Sequence, residues 1–172
     1  DTVLVLANGA AGNVPLTNDS PVYEIFVNAL TWVAKSLAQM IARDGEGATK
    51  FVTVTVRGAR TDADAHVAAM AVARSNLVKT AIFGNDPNWG RILAAAGSAG
   101  IRLDESKTTL RIGGHVVFRK GIPERAGQAV LAHMRSETVE IELDLGLGSG
   151  QTVMYTCDLG HDYVTLNAEY HT

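Results

Sequence analysis

The chain has 172 residues, with 15 basic and 18 acidic side chains, a formal net charge of −3 and no block of like charge. That balance offers nothing to a nucleic-acid backbone or an anionic membrane, and no uninterrupted apolar run approaches the roughly 20 residues that cross a bilayer. A single cysteine, Cys157, excludes an internal disulfide framework and fits a reducing compartment.

The length suits one domain, or one large piece of one, with a sizeable core. Thr2 to Ala7 reads as a short apolar strand ended by Asn8-Gly9, and an edge of that kind needs a partner strand. Ser20 and Pro21 fit the N-cap and first position of a helix. Its apolar stripe runs through Val22, Ile25, Phe26, Ala29, Leu30, Val33, Leu37, Met40 and Ile41, and Gly45 closes it. Phe51 to Val56 alternates as a strand. Thr61, with Asp64 three residues on, caps a second helix through about Arg74. Lys79 reads as a strand residue on a solvated edge. Asn88 to Ala99 forms a third helix and Glu124 to Arg135 a fourth. Strands follow near Thr108 to Ile112, His115 to Phe118, Thr138 to Leu145 and Thr152 to Cys157. The last two, joined through Gly146 to Gly150, read as an antiparallel hairpin. The sum is α+β, with helices packed on a mainly antiparallel sheet rather than a repeated βαβ unit.

Two glycine-rich segments invite a nucleotide, and both fail on order. A phosphate loop follows a strand and opens a helix, so that backbone N–H groups and the helix dipole face the phosphate. Gly45-Glu46-Gly47-Ala48-Thr49-Lys50 does the reverse, and Gly146 to Gly150 leads into another strand. Metal and triad chemistry find no footing either. His66, His115, His133, His161 and His171 form no HExxH, none pairs with Cys157 at ligand spacing, and Gly-x-Ser-x-Gly is absent. Cys157 sits in an apolar strand, where a small buried residue is the better reading than a reactive thiol.

Glu46 carries the strongest chemistry. Asp44 to Gly47 has a plain use as a helix C-terminal turn, its glycines supplying positive φ and Glu46 merely solvated. An acid is poorly placed there, however, because the macrodipole at that end favours cations. Flanking glycines also let a ligand approach the backbone closely, and a carboxylate so placed can take an ammonium group. Asp86-Pro87-Asn88-Trp89-Gly90 reads as structural: Asn88 caps, Pro87 stiffens the entry and Trp89 covers the core edge.

Asp44 to Lys50, Leu77-Val78-Lys79-Thr80-Ala81, Asp86 to Arg91 and the closing Leu166-Asn167-Ala168-Glu169-Tyr170-His171-Thr172 occur in one order. In these motifs, and over nearly its whole length, the chain resembles the ornithine acetyltransferase family, also called glutamate N-acetyltransferase. The resemblance implies acetyl transfer from N-acetylornithine to glutamate in arginine biosynthesis, by a ping-pong route through an acetylated threonine. That threonine follows a self-cleavage point and is not in this chain; Thr2 cannot supply a free amine, its nitrogen being bonded to Asp1. The chain then corresponds to the C-terminal part of the nucleophile-bearing β chain, with no catalytic residue and no metal ligand of its own. Substrate binding falls, by resemblance, on Glu46, Asn167 and Thr172. Asn167 and Thr172 lie five residues apart, and a bend at Ala168-Glu169, with Tyr163, Val164, Leu166 and Tyr170 docked, would bring both to one ligand.

The implied partners are an α chain, the nucleophile-bearing segment of the same precursor and small amino-acid substrates, in a hetero-oligomer such as a heterotetramer. No cofactor is implied, and acetyl-CoA is left open as a co-substrate. The implied compartment is the cytoplasm, or the mitochondrial matrix in a eukaryote. Two other readings stand beside this one: a self-cleaving amidase or aminopeptidase that deacylates to water, and a non-catalytic amino-acid-binding subunit.

Overall fold

The computed structural model describes residues 2–169. The chain divides into two compact units, Asp1–Leu37 and Ala38–Thr172. In the first, residues 2–8 form no strand and Val3, Leu4, Val5 and Leu6 are exposed, contrary to the expectation for Thr2 to Ala7. A β-rich composition makes a strand only where a neighbour takes up its N–H and C=O groups. Ser20 does not cap as expected. Its hydroxyl accepts from the Thr17 N–H at 2.9 Å, so the turn before the helix uses it.

Helix α1 (Tyr23–Arg43) passes from the first unit into the second. Its 21 residues make it long and apolar enough, by composition, to cross a membrane, and none of them is buried. Glu24, Asn28, Thr31, Lys35, Gln39 and Arg43 nonetheless recur every three or four residues along one face. A polar stripe of that spacing marks an amphipathic helix, whereas a bilayer span is apolar all round.

The second unit is built on one six-stranded sheet. Its strands are β1 (Phe51–Ala59), β2 (Thr109–Ile112), β3 (His115–Arg119), β4 (Ile122–Pro123), β5 (Thr138–Asp144) and β6 (Gly150–Cys157), in the order β4-β3-β2-β5-β1-β6. Only β1 and β5 run parallel; the other neighbours are antiparallel, so the α+β reading holds. Period-two alternation puts Val52, Val54, Val56, Val139, Ile141, Leu143, Leu110 and Ile112 on one face, all buried. Helix α2 (Asp62–Arg74) lies against β1 and β6 through Ala65, Ala68, Ala69 and Val72. These small residues at helical spacing let the helix backbone approach the sheet closely. The Thr61 hydroxyl caps it as expected, accepting from the Asp64 N–H at 3.1 Å.

Four further expectations fail. Residues 145–149 do not close a hairpin, because β1 lies between β5 and β6. The connection steps over the end of β1 instead, with the N–H groups of Leu147 and Gly148 both donating to the Gly58 carbonyl. Lys79 lies in helix α3 (Asn76–Phe83), capped by Ser75, and not on a strand; a short apolar run does not itself distinguish the two. Helix α5 spans only Gln128–Met134, since the Glu124 N–H is held by the Val117 carbonyl in an extended conformation. The last element among the described residues is α6 (His161–Glu169), so Ala168 and Glu169 are helical rather than bent. Tyr163, Val164 and Leu166 on it are exposed.

Candidate functional site

Glu46 sits in the tight turn between α1 and β1, closed by the Ala48 N–H donating to the Gly45 carbonyl at 2.9 Å. The glycines on either side are there for contact. A Cβ at Gly45 would stand 2.7 Å from Cys157 Sγ, and one at Gly47 would stand 2.6 Å from the Tyr163 backbone nitrogen. Gly47 also has φ +66°, which disfavours any other residue. The turn is thereby pressed onto the end of β6 and the first turn of α6. Cys157 is half-buried beneath it, less enclosed than an apolar strand suggested.

This packing brings two of the expected site residues together. Asn167 Nδ2 donates to Glu46 Oε2 at 2.8 Å across 121 residues of sequence, and also to the Tyr163 carbonyl one turn back, at 2.9 Å. The second bond fixes the amide against its own helix, so the first fixes the carboxylate. Glu46 Oε1 and Asn167 Oδ1 have no hydrogen-bond partner among the described residues. Two acceptors so held suit a ligand N–H donor, and one full negative charge suits a cation. Thr172, the third expected residue, lies outside the described residues.

Beneath the turn is a polar joint that sequence reasoning missed. Asp158 is 2% exposed, and its Oδ1 accepts from the backbone N–H groups of Thr49 at 2.8 Å and Lys50 at 2.9 Å. Its Oδ2 accepts the Thr49 hydroxyl at 2.5 Å. Lys50 Nζ donates to the carbonyls of Ile82 at 2.8 Å and Met134 at 2.7 Å, and to Asn85 Oδ1 at 2.5 Å. The ammonium thus satisfies the ends of α3 and α5. Burial pushes the Lys50 amine below its ordinary value, and the Asp158 carboxylate opposes that shift. The only sequence signal was an acid between an apolar strand and Leu159-Gly160.

The Asp86–Arg91 segment is structural, as its residue types suggested. Asn88 Oδ1 accepts from the Arg91 N–H at 3.0 Å, capping helix α4 (Trp89–Gly97), and Asn88 Nδ2 donates to Asp86 Oδ2 at 2.9 Å. Trp89 stacks on Phe118 with ring centres 5.4 Å apart, and Arg91 reaches the Leu77 carbonyl at 2.9 Å. A cleft of about 450 Å³ lies beside it, lined by Asp86 to Gly90, Val117 and Pro123 to Ala126. Neither Glu46 nor Asn167 lines it. Two histidines are likewise occupied in packing. His133 Nε2 accepts from the Glu140 N–H at 3.0 Å, and His161 stands edge-on to Phe83.

Residues 1–172 match the model of the ArgJ family. The arginine biosynthesis bifunctional protein ArgJ of Geobacter sulfurreducens is 49% identical over 177 residues, an alignment covering 100% of this chain and 44% of that protein. That of Oceanobacillus iheyensis is 47% identical over 173 residues, covering 100% and 42%. The chain therefore spans less than half the length of these curated relatives. In structure it is similar to the crystal structure of arginine biosynthesis bifunctional protein argJ from Bacillus halodurans, with TM-score 0.92, 38% identity, and 99% of this chain and 83% of that one covered. A match over every residue, together with a shared fold at this identity, places the chain in the ArgJ family.

Proposed function

We propose that this chain is part of an acetyltransferase of arginine biosynthesis that moves an acetyl group from N-acetylornithine to glutamate. The observation that carries the reading is the 2.8 Å bond from Asn167 to Glu46, which joins two motif residues from opposite ends of the chain. The relatives' names support it by giving a bifunctional role in arginine biosynthesis. In this reading the Glu46 carboxylate takes the ammonium group of the amino-acid substrate. Asn167 holds Glu46 in place and offers its own amide oxygen, and Thr172 completes the pocket.

The nucleophile is a threonine outside this chain. Its oxygen attacks the acetyl carbonyl and the ornithine amine leaves; the amine of glutamate then takes the acetyl group from the threonine ester. An oxyanion hole from an α chain holds the developing charge. The assembly is a hetero-oligomer derived from one self-cleaved precursor, acts in the cytoplasm and needs no resident cofactor; acetyl-CoA is a candidate second acetyl donor.

The test is to expose the full-length protein to N-acetylornithine and measure the mass of each subunit. One acetyl group should appear on a threonine and be discharged by glutamate. A protein that consumes N-acetylornithine with no acetylated subunit, or that releases acetate to water whether or not glutamate is present, contradicts the reading. In the same protein, Glu46→Gln should lower kcat/KM for N-acetylornithine about a hundredfold, the equivalent of roughly 2–3 kcal/mol for a lost charge-assisted bond.

A further inference from the structure

We infer that Asp158 is a positioning residue for the Glu46–Asn167 pair, an inference that rests on the function proposed above. Asp158 is the one buried acid among the described residues. It lies at the junction of β6 and α6, with its own N–H donating to the Lys50 carbonyl at 3.3 Å while its carboxylate accepts from Thr49 and Lys50. The two segments are therefore tied in both directions. Glu46 stands three residues before Thr49, and Asn167 stands on the helix that begins three residues after Asp158. The joint thus sits at the root of both arms that carry the pair.

The joint is anchored from behind. Lys50, whose N–H it accepts, holds the last turns of α3 and α5 through the Ile82 and Met134 carbonyls. Gly47 carries the turn onto the α6 backbone without a side chain between them. With the base fixed and the spacer absent, the separation of Glu46 and Asn167 is set by how tightly Asp158 draws residues 49 and 50 to the start of α6. A purely structural part for Asp158, satisfying two backbone donors at the head of β1, would change stability without changing how the substrate is held.

Substitution in the full-length, assembled enzyme separates the two. In Asp158→Asn the amide oxygen still accepts both N–H groups, but the charge is lost and the amide nitrogen meets the Thr49 hydroxyl as a donor. KM for N-acetylornithine should rise about tenfold with kcat within about threefold of wild type. In a Glu46→Gln background the same substitution should add almost nothing to KM, because the residue it positions no longer carries the interaction. Thr49→Val, which keeps the shape and removes one donor, should raise KM several-fold, and Thr49→Ser should restore it. If Asp158→Asn does not fold, the Thr49 pair alone decides. Unchanged KM in Thr49→Val, a valine that performs as well as serine, or a KM penalty that multiplies with that of Glu46→Gln would overturn the inference. A Glu46→Gln enzyme with normal KM would instead remove the ammonium reading itself.

Discussion

The turns at Asp44–Ala48 and Asp86–Arg91 use similar parts to opposite ends. Each combines an acid with an asparagine next to a helix end. At Asp86–Arg91 the polar groups serve the chain itself: Asp86 bonds Asn88, Asn88 caps α4, and Arg91 reaches α3. At Asp44–Ala48 the asparagine comes from 121 residues away, and the pair keeps two oxygens without partners among the described residues. Asp86 Oδ1, like Glu46 Oε1, has no partner among the described residues, so the contrast lies in the asparagines: Asn88 uses its oxygen to cap its own helix, whereas Asn167 Oδ1 is left over. A short motif dense in Asn, Pro and Trp identifies a fold element, whereas an acid held by a distant amide with an unused oxygen can still meet a ligand.

Glycine substitutions should break this contrast most visibly. Gly47→Ala places a Cβ against the α6 backbone at positive φ, so it should destabilise by about 2 kcal/mol or more and lower kcat/KM at least tenfold as the turn is pushed off α6. Chemical denaturation and steady-state kinetics on the full-length protein read both. Asn88→Ala, at the other turn, should cost about 1 kcal/mol of stability through the lost cap and leave kcat/KM within a few-fold. A hundredfold loss of activity there would mean that Asp86–Arg91 is catalytic after all. Gly90→Ala should stabilise by roughly 0.5–1 kcal/mol, since Gly in a helix is unfavourable. A Cβ at that position meets nothing nearer than Asn88 Oδ1 at 3.5 Å.

The smallest effect concerns the loop that carries Asp104 and Ser106. The Ser106 hydroxyl, aided by its own backbone N–H, holds the Asp104 carboxyl below its ordinary value of 3.8. A carboxyl depressed in the folded state contributes stability that is present above its unfolded value and lost as pH falls through the lower folded one. Ser106→Ala should accordingly lower Tm slightly near pH 6, and the difference from wild type should shrink as the pH approaches 3. A difference that grows toward low pH would contradict the assignment.

What sequence shows of this molecule follows the range of the interactions. Caps are local, so Thr61 and Asn88 could be placed from their neighbours alone. The alternation in Phe51 to Val56 was equally plain, because one face of β1 is buried throughout. Pairing is not local. Nothing within residues 138–157 shows that β1 inserts between β5 and β6, and nothing in Thr2 to Ala7 reveals whether a partner is present. The site divides in the same way. Glu46 stood out as an acid between glycines at the wrong end of a helix, and Asn167 was legible only through the family resemblance. Asp158 was not legible, since its three donors become neighbours only after the sheet forms.

The central claim is that Glu46 and Asn167 act as one unit on the substrate, and a double-substitution cycle in the full-length enzyme tests it most directly. Glu46→Gln and Asn167→Leu are made singly and together, and kcat/KM for N-acetylornithine is measured for each. Residues sharing one interaction couple by about 0.5–3 kcal/mol, so the double variant should be scarcely worse than Glu46→Gln alone. Penalties that multiply, or an Asn167→Leu enzyme with wild-type kcat/KM, would show that the bond between them has no part in holding the substrate.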